Sequence, residues 1–198
     1  VIGQPTIEDN GPLGANRMPT VDGEVFDCAM TWLDKHEAKN DDQPYFMWYN
    51  PTRMHQKTHM RPEYQGASQI NTYYDGLVEL DDQIGVLLDK LEELGEIDNT
   101  IILFTSDNGV NLDHWPDSGS ASFRGQKGTT WDGGFRVPML VSWPDKIPQG
   151  EYTNGFMTSE DWVPTIMAAV GDTEIKQDLL KGKELNGQHY QVHLDGYN

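Results

Sequence analysis

The chain has 198 residues, enough for one domain with a sizeable core, and its 32 acids against 14 Lys and Arg leave a formal charge of −18. That charge disfavours nucleic acid and anionic membrane surfaces as partners, and an anionic substrate would need local cations or a metal. The one cysteine, Cys28, excludes an intrachain disulfide, and no stretch approaches the ~20 apolar residues of a membrane-spanning helix.

In chain order, residues 1–20 are rich in Gly, Pro and Asn and read as loop. The start, "VIGQPTIEDNG", has neither an initiator Met nor a signal pattern, so further sequence is expected in front of it. From Val21 the spacing of Val25, Cys28 or Ala29, and Trp32 predicts a helix that ends at "KNDDQP", with Cys28 as a small core residue. "YFMWYN" (45–50) is aromatic and apolar throughout and predicts a strand covered on both faces. A polar loop, "PTRMHQKTHMRPEYQG", follows. Tyr74, Leu77, Val78, Ile84, Leu87, Leu88, Leu91 and Leu94 then recur at three- and four-residue spacing and predict a long helix closed by "LGEIDN". "TIILFTS" predicts a second strand and "PMLVSW" (138–143) a third, with a long Gly- and Ser-containing loop between them. "TSEDWVPTIMAAVG" predicts a helix with Thr158 or Ser159 as N-cap, Pro164 early and Gly171 as its stop. The final "QVHLDGYN" reads as a strand running into a turn. The acids, spread along the chain, read as a solvated surface.

This alternation predicts an α/β fold with a mostly parallel sheet flanked by helices, in which ligands gather beyond the carboxyl ends of the strands. Three polar segments are expected at that edge. In "TSDNG", Asp107 and Asn108 leave a buried strand directly; both are hard oxygen donors suited to Ca²⁺ or Mg²⁺, although "DNG" is also a good turn. Gly109 lets the chain turn sharply away. The loop "FRGQKGTTWDGGFRVP" carries Arg124, Lys127 and Arg136 among four glycines and suits the close approach of an oxyanion, or is simply a flexible surface loop. "TRMHQKTH" offers Arg53, His55, Lys57 and His59; the two histidines lack the Glu of a zinc-protease pattern and suit acid/base or hydrogen-bonding roles better than zinc. Hard ligands, a lysine and a histidine at one edge would together stabilise an anionic tetrahedral group during hydrolysis.

The ordered set "PYFMWYN…MHQKTH", "YDGLVELDDQIGVLLDKLEELGEIDNTIILFTSDNG", "GQKGTTWDGGFRVPMLVSWP" and "TSEDWVPTI", from about Val21 to Gly171, resembles the arylsulfatase-like sulfatases of the alkaline-phosphatase-like superfamily. The resemblance implies that the chain is the C-terminal half of a catalytic domain cut at both ends, with residues 1–171 in that domain and 172–198 opening a smaller subdomain. It implies that Asp107 and Asn108 are metal ligands giving part of a Ca²⁺ site, that Lys127 contacts the substrate sulfate, and that His55 contacts the ester and assists the leaving group, with His59 as runner-up. The family's nucleophile, a formylglycine made within C/S-x-P/A-x-R, has no match: Cys28 sits in "CAMTW" and no serine fits. It is expected, with the remaining ligands, in the missing N-terminal half of the same domain. The substrate implied is an aryl or carbohydrate sulfate ester, the location periplasmic or secreted, and the 198 residues alone are expected to be inactive. A non-catalytic binding module of the same fold, and a phosphodiesterase or phosphonate hydrolase on the same scaffold, are the alternatives.

Overall fold

The first long helix, α1, spans Val21–Glu37, as the spacing of its apolar residues predicts, with Asp22 and Glu24 in its first turn and Lys35 and His36 in its last. That charge order complements the helix dipole. The structure, a computed structural model, describes residues 9–39, 43–56, 59–119 and 122–198. Expectations placed on residues 1–8, on 40–42 within "KNDDQP" and on Lys57 lie outside these. The described chain divides into two units, one being Gly11–Gln149 and the other containing Gly150–Asn198.

In the first unit, α2 spans Thr72–Glu93, and the Asn71 side chain caps it by accepting a hydrogen bond from Tyr74 N at 3.1 Å. The apolar spacing placed this helix correctly but not its most buried face. Asp75, Gly76, Glu79, Leu80 and Gln83 are buried, whereas of the apolar residues that predicted the helix only Leu91 is. Asp75, Glu79 and Gln83 follow at four-residue intervals and so share one side of the helix. The expectation of a solvated acidic surface fails for these two acids, because neighbouring loops bring donors to them. Leu33 of α1 with Leu80 and Leu91 of α2 are the buried aliphatic residues among those described in this unit.

Strands β1 (Ile102–Thr105) and β2 (Met139–Ser142) form at the predicted places and pair with each other. Their pairing is antiparallel, with Ile102 opposite Ser142 and Thr105 opposite Met139. The mostly parallel sheet expected from the sequence is not seen among the described residues, where both strand pairs are antiparallel. The physical reason lies in the connection. A parallel return needs a crossover that carries the chain back along the sheet. The connection instead leaves after residue 105 and re-enters at 139 at the same edge, and among its described residues the only helix is the four-residue α3, Asp132–Phe135. Thr105 Oγ1 donates to Pro138 O at 3.1 Å and closes the base of that loop.

Residues 45–50 are a second correction: they join no ladder. They still alternate, with Tyr45, Met47 and Tyr49 half-buried and Phe46, Trp48 and Asn50 exposed, Trp48 to 79%. The inward side is held by polar tips, Tyr45 OH donating to Glu96 at 2.8 Å and Tyr49 OH to Gln83 at 3.1 Å. Burial and the nearby Glu96 raise the Tyr45 phenol, and burial pushes Tyr49 up to about 12. Cys28 is exposed rather than core; with Val25, Ala29, Trp32 and residues 46–49 it lines an open groove of about 330 Å³.

The second unit contains α4 (Trp162–Ala169), α5 (Ile175–Lys181) and the hairpin of β3 (Lys183–Leu185) with β4 (Gln188–Tyr190). Thr158 opens the α4 segment as predicted, in a capping box where the Asp161 carboxylate accepts from Thr158 N at 2.8 Å. The strand expected in "QVHLDGYN" does not form; the strands lie just before it, joined by Asn186 and Gly187 at φ 53° and 77°. Positive φ at both positions is the two-residue turn that Asn-Gly favours. Ile175 and Leu179 of α5 are buried here.

Candidate active site

The antiparallel register puts Asp107, two residues beyond β1, at the same edge as the Gly-rich loop that enters β2. Gly109 N donates to Gly134 O at 2.8 Å, and Lys127 N donates to Val110 O at 2.8 Å. These two bonds tie the Asp107–Val110 segment to both limbs of the loop. Gly109 is buried, and its φ is not in the left-handed region. Its role is therefore close approach rather than the sharp turn expected: a Cβ there would lie 1.9 Å from Gly133 O. Gly133 is confined in the same way, 2.3 Å from Gly125 O, and Gly134 would meet Thr129 O at 2.2 Å. The limbs of the loop "GQKGTTWDGG" thus pack main chain against main chain, while residues 128–132 at its tip are exposed.

The cations of this loop divide. The Arg124 guanidinium lies 4.0 Å from the centre of the Trp131 ring. Arg136 lies 4.3 Å from that of Phe123 and 3.6 Å from the Asp132 carboxylate. Lys127 is half-buried, and among the described residues its ammonium has no ion pair or side-chain hydrogen bond. It is the loop cation left for an outside anion.

The Asp107 carboxylate is exposed and likewise has no partner among the described residues. Asn108 is half-buried; its Nδ2 donates to Gly109 O at 2.9 Å, which leaves Oδ1 as an open acceptor. Two hard oxygen donors at a strand end fit a Ca²⁺ ion, which takes six to eight oxygens, as part of its shell and no more. Among the described residues no group of three or more His, Cys, Asp or Glu is assembled to hold a metal.

His55 reaches this cluster through Trp115. The Trp115 indole Nε1 donates to His55 O at 3.4 Å, and its ring meets Tyr73 of α2 edge-on, with centroids 5.6 Å apart. Asn71 Nδ2 donates to Asp117 O at 3.0 Å and fixes the same loop to the start of α2. His55 is exposed, as is the runner-up His59. The structure therefore joins the main chain of the Asp107–Val110 segment to the loop that carries Lys127, and links the His55 loop to them by way of residues 111–118.

The sequence reading missed what holds the His55 loop. The Arg53 side chain is fully buried and forks onto Glu79, Nε to Oε2 at 3.0 Å and NH2 to Oε1 at 2.8 Å. Its NH1 lies 3.1 Å from Asp22 Oδ2, close enough for an ion contact but without the alignment of a hydrogen bond. Asp22 also accepts from Thr52 N at 2.8 Å and Arg53 N at 2.9 Å. Arg61 closes the far side, with Nε to Glu79 Oε1 at 2.8 Å. Burial opposes the charged form of Glu79, but the hydrogen bonds from Arg53 and Arg61 outweigh it and hold the carboxyl below its ordinary range. One turn earlier, Asp75 accepts from Ser68 Oγ at 2.6 Å, Gly66 N at 2.8 Å and Ser68 N at 2.9 Å, and these bonds lower it too. The available signal was the spacing of Asp75, Glu79 and Gln83, which interrupts the apolar pattern in mid-helix.

Comparison with known proteins shows the family. The sulfatase family profile matches residues 4–172, and the chain belongs to the sulfatase family. It is 35% identical over 161 residues to an arylsulfatase of Hemicentrotus pulcherrimus, covering 80% of this chain and 28% of that protein. It is 33% identical over 136 residues to human arylsulfatase A, covering 68% and 27%. Among solved structures, the PsFucS1 sulfatase from Pseudoalteromonas sp. superposes with a TM-score of 0.76 at 35% identity, over 83% of this chain and 33% of that one. The chain thus spans less than a third of the length of these curated relatives. That structural neighbour is a sulfatase, and no helix among the described residues is long and apolar enough to cross a membrane.

Proposed function

We propose that the protein containing this chain hydrolyses sulfate esters and that Asp107, Asn108, Lys127 and His55 are this segment's contribution to the active site. The observation that carries the reading is the Lys127–Val110 hydrogen bond. It ties the main chain of Lys127, whose ammonium is uncommitted among the described residues, to the strand-end segment that carries Asp107 and Asn108. Lys127 would neutralise sulfate oxygens as charge builds on them, in a site shielded by the glycine cluster. Asp107 and Asn108 would hold Ca²⁺, which supplies Lewis-acid stabilisation of the sulfate when bound. His55 would give a proton to the ester oxygen as the S–O bond breaks, so that the alcohol leaves neutral.

The other metal ligands and the formylglycine nucleophile belong, in this reading, to the rest of the full-length protein. The exposed faces of Leu103, Phe104, Leu140 and Val141 and of Phe46 and Trp48 support packing against that remainder. Residues 1–171 belong to the catalytic domain and 172–198 begin a smaller one, and the protein works in the periplasm or outside the cell. The 198 residues alone would not turn over.

The test is to express the full-length gene product and compare aryl and carbohydrate sulfates with phosphodiesters and phosphonates, with and without chelator. Calcium-dependent release of sulfate that is lost in Lys127→Ala supports the reading. A phosphoester preference would redirect it to a phosphodiesterase or phosphonate hydrolase, and no turnover of any of these to a binding module.

A further inference from the structure

We propose that Arg53 is a positioning residue for His55, holding the histidine in place through a strained turn anchored on α1 and α2. The inference rests on the reading of His55 as the group that protonates the leaving oxygen. Three features of the backbone support it. Thr52 N and Arg53 N are both gripped by Asp22, so the residues just before the turn are fixed by main chain as well as side chain. Met54 then adopts φ 73°, a left-handed conformation that a side chain rarely takes unless its surroundings impose it. His55 N closes the turn by donating to Thr52 O at 3.1 Å, and His55 O receives the Trp115 indole. The histidine backbone is therefore pinned on both sides while its residue remains exposed.

Arg53 supplies the anchor because its side chain cannot move without breaking several bonds. Its fork spans both Glu79 oxygens, and NH2 also donates to Pro19 O at 3.1 Å. Its charge is answered by Asp22 and Glu79, so its effect on His55 is mechanical rather than a through-space cationic field. A lysine would keep the charge and lose the planar fork. Misplacing a proton donor by about 1 Å costs on the order of 10²-fold in rate.

The experiment uses the full-length protein and a series of aryl sulfates whose leaving phenols range from acidic to weakly acidic. Arg53→Lys and Asp22→Asn are compared with His55→Ala and with the Arg53→Lys/His55→Ala double variant, each first checked for a native thermal transition. Proton donation matters most for the poorest leaving group. The expected result is a fall in kcat of about 10²-fold for the least acidic phenol and little change for the most acidic, with KM unchanged. The double variant should be no worse than His55→Ala alone. A loss that is uniform across the series, additive losses in the double variant, or failure of both conservative variants to fold would assign the network to stability only and overturn the proposal. If His55→Ala itself shows no leaving-group dependence, the underlying reading of His55 fails first, and the proposal goes with it.

Discussion

Residues 51–56, which carry His55, are tied down by charged side chains reaching in from α1 and α2, whereas residues 123–136, which carry Lys127, are tied by main-chain hydrogen bonds among glycines. The first loop depends on ionised groups and should respond to charge and pH. The second depends on the absence of side chains and should respond to volume. Two ways of fixing a loop thus serve one edge of the fold. In the first, a buried ion cluster is costly to desolvate but very sensitive to the loss of any member. In the second, backbone donors need no ionisation, so the lysine they position is left free.

The largest expected effect breaks the first loop. Glu79→Ala in the full-length protein strands the buried Arg53 charge and should cost about 3–5 kcal/mol in urea unfolding. A loss below about 1 kcal/mol would show that water reaches the cluster. Lys127→Ala should separate chemistry from stability in the second loop. We expect kcat for an aryl sulfate to fall about 10²–10³-fold, with the unfolding free energy unchanged within about 0.5 kcal/mol. Gly109→Ala should do the reverse of that: its Cβ would overlap Gly133 O, and overpacking of this kind costs about 1–3 kcal/mol. A neutral Gly109→Ala would mean that the two segments separate easily.

The smallest effect is in pH. Glu79 and Asp75 have carboxyls held below their ordinary values, so the stability they contribute is present at neutral pH and lost as pH falls through their folded-state values, on the acid side of about 4. Protection factors from hydrogen exchange should fall there for the amides of Arg61, Gly66 and Ser68, which donate to these carboxylates, before those of Gly109 and Lys127. Simultaneous loss in both loops would erase the distinction. Tyr49 works in the opposite direction: with its phenol raised to about 12, its contribution is full below pH 10 and lost as pH climbs through 12.

Much of the local structure was legible because it depends on near neighbours in the chain. The spacing of Val25 and Trp32, or of Leu77, Leu88 and Leu91, is enough to predict a helix, and Thr158 with Asp161 is enough to start one. The strands at Ile102–Thr105 and Met139–Ser142 stood out as apolar runs ended by polar loops. Their partner and direction did not, since a run of apolar residues reads the same in either orientation. Residues 45–50 showed the same limit: they have the pattern of a strand, but a ladder needs a neighbour. The Asn186–Gly187 dipeptide carries a hairpin signal, whereas the strand expected from the sequence falls on the residues after it.

The sequence by itself marked candidates for the chemistry of the site: hard oxygens at Asp107 and Asn108, cations at Arg124, Lys127 and Arg136, and rings at His55 and His59. Residue type sets what each side chain can donate or accept, and the resemblance to the sulfatases singled out Lys127 and His55 among them. Only the tertiary structure decided which of the three loop cations stays uncommitted, why Gly109 must lack a side chain, and that Asp22, Arg53 and Glu79 form the buried root of the histidine loop. The last of these depends on contacts between residues 31 and 26 positions apart, and on the burial that turns an ordinary surface acid into a structural one. Burial and distance belong to the folded chain, and neither is written in the order of its residues.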